Sequence, residues 1–379
     1  MRTDILKNEI LLTQRKTTRV SSWLTCALTA ILCALLSGCA NLVFYAQAVN
    51  GHVDLMRRAR PIHTIIADPN TDADLKRTLS TVARVRTFAS TALRLPDNRS
   101  YTHYADLERP YAVWNVVATP ELSTRLKEWC FIQAGCVNYR GFFSQARAED
   151  YARELSSEGY DVHVSGVPAY STLGWFNDPV LNTFIHHSEL ELARLIFHEL
   201  AHQVIFVSGD TVFNESFATL VEQEGVRRWL AHNNTVAEYA EYQVRHARQA
   251  TFDTLILHHR RRLDALFNTD MDDAQKRIGK ARIFEDLRAQ FELLKTSRAE
   301  FDRFDPWFAQ PLNNARLARV SIYTQLLPAF RILLAQQDGD MARFFDTVKT
   351  IGKLPKAERL LVLQRIVDEN YQDTIANAF

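Results

Sequence analysis

His198-Glu199-Leu200-Ala201-His202 is the segment whose residue types and spacing bear most directly on chemistry. Two histidines four apart on a helix project from one face, near enough to hold one metal ion through their imidazole nitrogens. Glu199 stands beside the first histidine without being able to chelate together with both. That is the place of a general base, which takes a proton from a water whose pKa a zinc ion lowers to about 7. A catalytic zinc takes three protein ligands and keeps one position open, so a further ligand must come from elsewhere in the chain. After a break at Ser208-Gly209-Asp210, the run from Asn214 to Glu222 reads as a second helix with Asn214 as its N-cap. Glu215 in the first turn can face back across an antiparallel helix pair toward the histidines. Asp210 on the connecting loop and Glu222, two turns beyond Glu215, are the other carboxylates in reach.

The elements that must position these groups are legible in part. Ser188-Glu189-Leu190-Glu191 reads as a capping box opening the motif helix, and Leu192, Leu195 and Ile196 continue its apolar face. Further upstream, Leu42 to Ala59 and Asp72 to Leu93 have helical spacing. Tyr111 to Val117 and Tyr160 to Val167 are β-rich runs bounded by prolines, with a helical stretch from Ala146 to Ser156 between them. Tyr170 to Phe176, with Tyr170, Thr172 and Gly174 alternating, suggests an edge strand to which an extended substrate would add, and Asp178 is a further candidate substrate contact. From Ser188 onward helices dominate, over 189–206, 215–231, 236–268, 272–296, 313–337, 339–349 and 356–369. The expected class is α+β, predominantly helical, with a small sheet ahead of the HExxH helix pair and a helical C-terminal part.

The N-terminal forty residues read as a targeting segment: Lys7, Arg15, Lys16 and Arg19, then an apolar run from Trp23 to Leu36, then Leu36-Ser37-Gly38-Cys39. That tetrapeptide resembles the bacterial lipobox, which implies cleavage before Cys39, lipidation of its thiol and a place in the cell envelope. Neither Ala40 nor Asn41 is the aspartate that retains lipoproteins in the inner membrane, so the outer membrane, facing the periplasm, is expected. The expected organisation is a signal peptide over 1–38, an N-terminal α+β part over 39–187 and a helical part carrying the HExxH helix pair over 188–379. Cys130 and Cys136 then remain, six apart, and an oxidising compartment favours a disulfide between them.

Composition narrows the rest. With 47% hydrophobic and 23% charged residues, 12 Gly and 11 Pro, the chain is neither disordered, collagen-like nor a multi-span membrane protein. A formal net charge of +1 gives no electrostatic case for nucleic acid.

His198-Glu199-Leu200-Ala201-His202-Gln203 followed by Asn214-Glu215-Ser216-Phe217-Ala218 resembles the gluzincin metallopeptidases. Their leukotriene-hydrolase-like aminopeptidases carry a similar pairing, with a longer gap between the two segments. The resemblance implies one zinc per chain held by His198, His202 and Glu215, with Glu199 as base and Tyr323 as donor to the oxyanion. Cys136 to Phe143, Tyr170 to Pro179 and Leu312 to Leu317 extend it, and over nearly the whole mature chain the sequence resembles a family of bacterial lipoprotein aminopeptidases. The metzincin pattern is not met: Ile205 and Ser208 stand where it needs a glycine and a third histidine. Two functions are open as alternatives: a membrane-tethered zinc peptidase acting on short peptides, or a non-catalytic zinc-binding or envelope-assembly lipoprotein. Glu199 favours the first, since a structural zinc site is closed by four protein ligands and needs no base.

Overall fold

A computed structural model describes residues 44–131 and 135–376. Cys39 and the lipobox lie outside the described residues. Helix α1 covers residues 44–58. Contacts divide the chain into Met1–Asp54 and Leu55–Phe379, and all the strands among the described residues belong to the second unit.

Three small sheets and thirteen further α-helices are described there, so the class is α+β and mostly helical. β1 (Arg60–Pro61), β2 (His103–Ala105) and β8 (Val180–Leu181) form one sheet, with β8 parallel to β2. The central sheet has the order β6-β3-β7, from β6 (Arg140–Phe142), β3 (Val113–Pro120) and β7 (Tyr160–Val167), all antiparallel. β3 is buried on both faces, which is why apolar residues fall at successive positions, Val113-Trp114 and Val116-Val117-Ala118, rather than in alternation. The strand runs through Pro120, which ends it instead of bounding it from outside. β4 (Trp129–Phe131) and β5 (Gly135–Val137) pair with Cys130 opposite Cys136, and a disulfide joins the two.

Helices α2 (Ile62–Ala67) and α3 (Ala73–Thr91) follow β1, and Asp72 caps α3 by accepting from the Asp74 and Leu75 amides. α4 (Gln145–Ser157) packs on β3 and β7, and α5 (Asn182–Ile185) follows β8. The two helices that matter most are α6 (Glu189–Val204) and α7 (Thr211–His232), which pack against each other along their length. Gly225 permits their approach: a Cβ there would lie 2.5 Å from a ring carbon of Phe197 on α6. The remaining helices are α8 (Val236–Phe267), α9 (Asp273–Ser297), α10 (Asp305–Phe308), α11 (Asn314–Thr324), α12 (Leu327–Gln336), α13 (Met341–Gly352) and α14 (Lys356–Ala376).

One apolar core joins α3, α6, α7, α12 and α13, and so spans both sides of position 188. Its aromatic centre is Phe217, ringed by Phe330, Phe344 and Phe345. A second cluster, built on Phe252, Phe291, Phe301, Phe304 and Phe308, closes α8 and α9 against the turns that follow them.

Three expectations are corrected. The helix expected over 313–337 is two helices, α11 and α12: Pro328 has no N–H to give and restarts the helix in its first turn. The cap of α7 is Asp210, whose carboxylate accepts from the Phe213 amide, and not Asn214, which lies within the first turn. Residues 170–176 form a turn and not an edge strand, with Leu173 at φ 57° and Gly174 at φ 84°, a left-handed pair that no strand contains.

Candidate metal centre

Ser188 caps α6 by accepting from the Glu191 amide, but the Glu191 carboxylate pairs with Arg194 rather than reaching back, so only half of the expected capping box forms. The apolar stripe of α6, Leu192, Leu195, Ile196 and Leu200, is buried in the core. Burying that stripe fixes the rotation of the helix and turns His198 and His202 toward α7. The link to α7 is short, and Asn214 closes it: its amide group donates to the Val207 carbonyl at 2.9 Å and its oxygen accepts from the Val207 N–H at 2.8 Å. Glu215, next to Asn214, is thereby brought against the two histidines.

The three donor atoms form a nearly equilateral triangle. His198 Nε2 lies 3.2 Å from both Glu215 Oε2 and His202 Nε2, and His202 Nε2 lies 3.6 Å from Glu215 Oε2. Ligands bound tetrahedrally at about 2.0–2.1 Å stand about 3.3–3.4 Å from one another, so the edges are those of a small tetrahedral metal site. Among the described residues this trio is a group able to hold a metal ion.

Charge supports the same conclusion. The buried Glu222 and the largely buried Glu215 both lie against the His198 ring, and Arg194 neutralises only one of them. Burial alone would make the His198 imidazole less basic, yet the two carboxylates push its pKa up to about 10. Glu215 is held well below the usual carboxylate range: burial opposes this, and the two histidines overcome it. The pocket thus draws a proton into the place a cation would occupy.

Glu222 Oε2 sits 2.9 Å from His198 Nδ1, which directs Nε2 of that ring to the donor triangle. It is therefore not a third ligand but the carboxylate that orients one. Burial pushes its own pKa up, but Arg194 and His198 together pull it below the ordinary value. Asp210 is not a ligand either. It is 2% exposed, caps α7 and pairs with Arg359 of α14 at 2.6 Å.

Tyr323 lies beside the centre, its ring centroid 6.3 Å from that of His198. Its place is set by the break between α11 and α12, where Ser216, the residue after Glu215, donates to the Ile322 carbonyl and accepts from the Leu326 N–H. The negative charge of Glu215, and then burial, raises the Tyr323 pKa well above its usual value. Asn313 and Asn314 hold the start of α11 to β7 and to the segment after β3: the Asn313 side chain donates to the Val162 carbonyl, the Asn314 side chain donates to the Glu121 and Ser123 carbonyls, and the Asn314 N–H donates to the Asp161 carboxylate.

Tyr139, in the turn between β5 and β6, is a site residue that the sequence did not flag. Burial, then Glu215, Tyr323 and Glu199, raises its pKa far above the ordinary phenol range. Nearby, Gly135 of the disulfide-closed hairpin packs against Ser208 and Gly209 in the α6–α7 link. The only local signal in the sequence is Cys136 in β5, and a cysteine says nothing about which residue beyond it meets the metal helices. Tyr101 is a second such residue. Its hydroxyl is buried without a hydrogen-bond partner among the described residues, and burial, Glu199 and Asp178 raise its pKa.

The expected substrate residues are arranged differently from the expectation. Asp178 is 1% exposed, and its carboxylate accepts from the Thr172 N–H at 3.0 Å and the Thr172 hydroxyl at 2.7 Å. It anchors a loop and offers no access to a substrate amine; burial pushes its pKa up to about 6. Thr172 is taken up by the same turn, Tyr170 packs edge-on to Phe143, and Gly174 lies against Gln203, one residue after His202.

A family model described as "Putative aminopeptidase" matches residues 43–363. The chain belongs to that aminopeptidase family. The match covers every residue of the donor triangle together with Glu199, Glu222, Tyr139 and Tyr323. No curated protein and no solved structure matches the chain.

Proposed function

We propose that the protein is a zinc-dependent aminopeptidase of the bacterial cell envelope, anchored by a lipid on Cys39 to the outer membrane and facing the periplasm. The observation that carries the catalytic part is the largely buried His198–His202–Glu215 triangle with its excess of negative charge, next to a glutamate that the triangle does not use.

Zinc bound there supplies a Lewis acid for the scissile carbonyl and lowers the pKa of the attacking water. His198, His202 and Glu215 hold the ion, and Glu222 keeps the His198 ring turned toward it. Glu199 takes the proton of the water and returns it to the departing amine, which leaves neutral. Tyr323 and Tyr139, both kept protonated by their surroundings, donate to the oxyanion as charge develops on the carbonyl oxygen. The cleaved peptide and a freed N-terminal residue are the products.

The envelope location rests on Leu36-Ser37-Gly38-Cys39 and on a disulfide that suits an oxidising compartment. Purified full-length protein should carry about one zinc per chain and shorten peptides with a free N-terminus one residue at a time. Equal cleavage of N-acetylated and free peptides would remove the aminopeptidase assignment. For the anchor, the wild type should partition with membranes and Cys39→Ser should carry no lipid; wild-type protein recovered with residues 1–38 intact and an unmodified Cys39 would contradict it.

A further inference from the structure

The loop between β7 and β8 ends in two adjacent aromatic residues, Trp175 and Phe176, 74% and 53% exposed. Its position is fixed at several points. The Asp178 carbonyl accepts from the Tyr101 N–H at 2.6 Å, and the Asp178 carboxylate holds Thr172 through both its N–H and its hydroxyl. Thr172 in turn accepts the Trp175 N–H at its carbonyl and the Phe176 N–H at its hydroxyl. The turn is built on Leu173 and Gly174, both with positive φ.

This loop lies over the catalytic face of α6. Gly174 approaches Gln203 to van der Waals distance, a Cβ there falling 3.5 Å from the Gln203 side chain. Gln203 is four residues after Glu199 and so one turn along the same helix face. The aromatic pair is thus carried by a turn whose Gly174 packs on α6 one helical turn from Glu199. Residues 169–185 contain no Lys or Arg, and their one carboxylate, Asp178, is buried and occupied by the turn. A membrane-surface loop would carry basic residues beside its aromatics. What the tip offers is a neutral, apolar surface held in one conformation, which costs a ligand little ordering entropy.

We propose that Trp175 and Phe176 are specificity-determining residues that receive an apolar side chain of the peptide next to the scissile bond, so that the substrates are peptides with large aliphatic or aromatic residues there. The proposal rests on the peptidase reading and names its substrate class.

The test uses tetrapeptides that begin with Leu, Phe, Ala, Ser or Glu and are otherwise identical. Wild-type full-length protein should prefer Leu and Phe over Ser and Glu by about tenfold or more in kcat/KM, and Trp175→Ala/Phe176→Ala should bring the ratio close to one. A wild type without apolar preference, or a double variant with the wild-type ratio, overturns the proposal while leaving the peptidase standing. A wild type that cleaves none of the peptides overturns the peptidase reading and this proposal with it. A second readout needs no turnover: in Glu199→Gln protein, Leu-Ala-Ala-Ala should change tryptophan emission saturably, and the change should vanish when Trp175→Phe is added. Emission that responds equally with and without Trp175→Phe places the contact elsewhere and overturns the assignment.

Discussion

Replacing Glu222 by glutamine asks whether a carboxylate that never touches the metal controls its affinity. Glu222 sits between two donors, accepting from His198 Nδ1 at 2.9 Å and from Arg194 Nη1 at 3.1 and 3.2 Å. Glutamine keeps the shape but has one oxygen and one NH2 group. Whichever way the amide turns, its NH2 faces either the guanidinium or the imidazole N–H. Arg194 is 41% exposed and keeps Glu191, so it can turn toward water, whereas the His198 ring is only 13% exposed and cannot. The loss therefore falls on the orientation of His198. Partners of this kind are worth about 10- to 100-fold in metal affinity, or about 1.4–2.7 kcal/mol. Competition with a chromophoric chelator at neutral pH measures the zinc Kd, and thermal unfolding of the metal-free protein checks that the fold is intact. A Kd within twofold of wild type, with the fold intact, would refute the claim that Glu222 orients a ligand.

Asp210→Asn should lower stability by about 3–5 kcal/mol, because it leaves the buried Arg359 without its carboxylate, while zinc content of the folded protein stays at one; denaturant unfolding with metal analysis decides it. His163 on β7 has its pKa lowered to about 3 by burial and by the nearby Arg319 and Arg316. The folded state then binds fewer protons than the unfolded one between about pH 3 and 6.5, so stability should fall as pH drops through that window, by at most about 1.4 kcal/mol per unit from this group, and His163→Gln should flatten the slope of Tm against pH. Reducing Cys130–Cys136 should cost about 2 kcal/mol of stability from the freed loop and should lower activity, since the hairpin packs on the α6–α7 link; equal activity before and after reduction would separate the bridge from the site.

How much of the site can be read from the sequence depends on range. The motif helix is legible because a capping serine, a 3.6-residue apolar stripe and two histidines on one face all lie within seventeen residues, Ser188 to Val204. The start of α7 is misplaced by four residues: Asp210 and Asn214 are both good cap residues, and only the bonds of Asn214 to Val207 decide between them. Glu222 can be seen as a buried partner, but its contact with His198 needs the crossing of α6 and α7, which Gly225 and Phe197 set. At 170–176 the alternation of a half-exposed strand and the turn around Asp178 look alike in one dimension, and the buried carboxylate settles which forms. Tyr139 is invisible because strand pairing, and no local pattern, carries it to the metal helices.

The central claim divides metal holding from proton transfer among four residues on two helices. Zinc content and peptide cleavage, measured together on Glu199→Gln and Glu215→Ala against wild type, test it most directly. Glu199→Gln should keep about one zinc per chain while cleavage falls by about two to four orders of magnitude, and Glu215→Ala should lose zinc and cleavage together. Zinc lost from Glu199→Gln, or retained at full affinity in Glu215→Ala, would contradict the assignment of those two carboxylates.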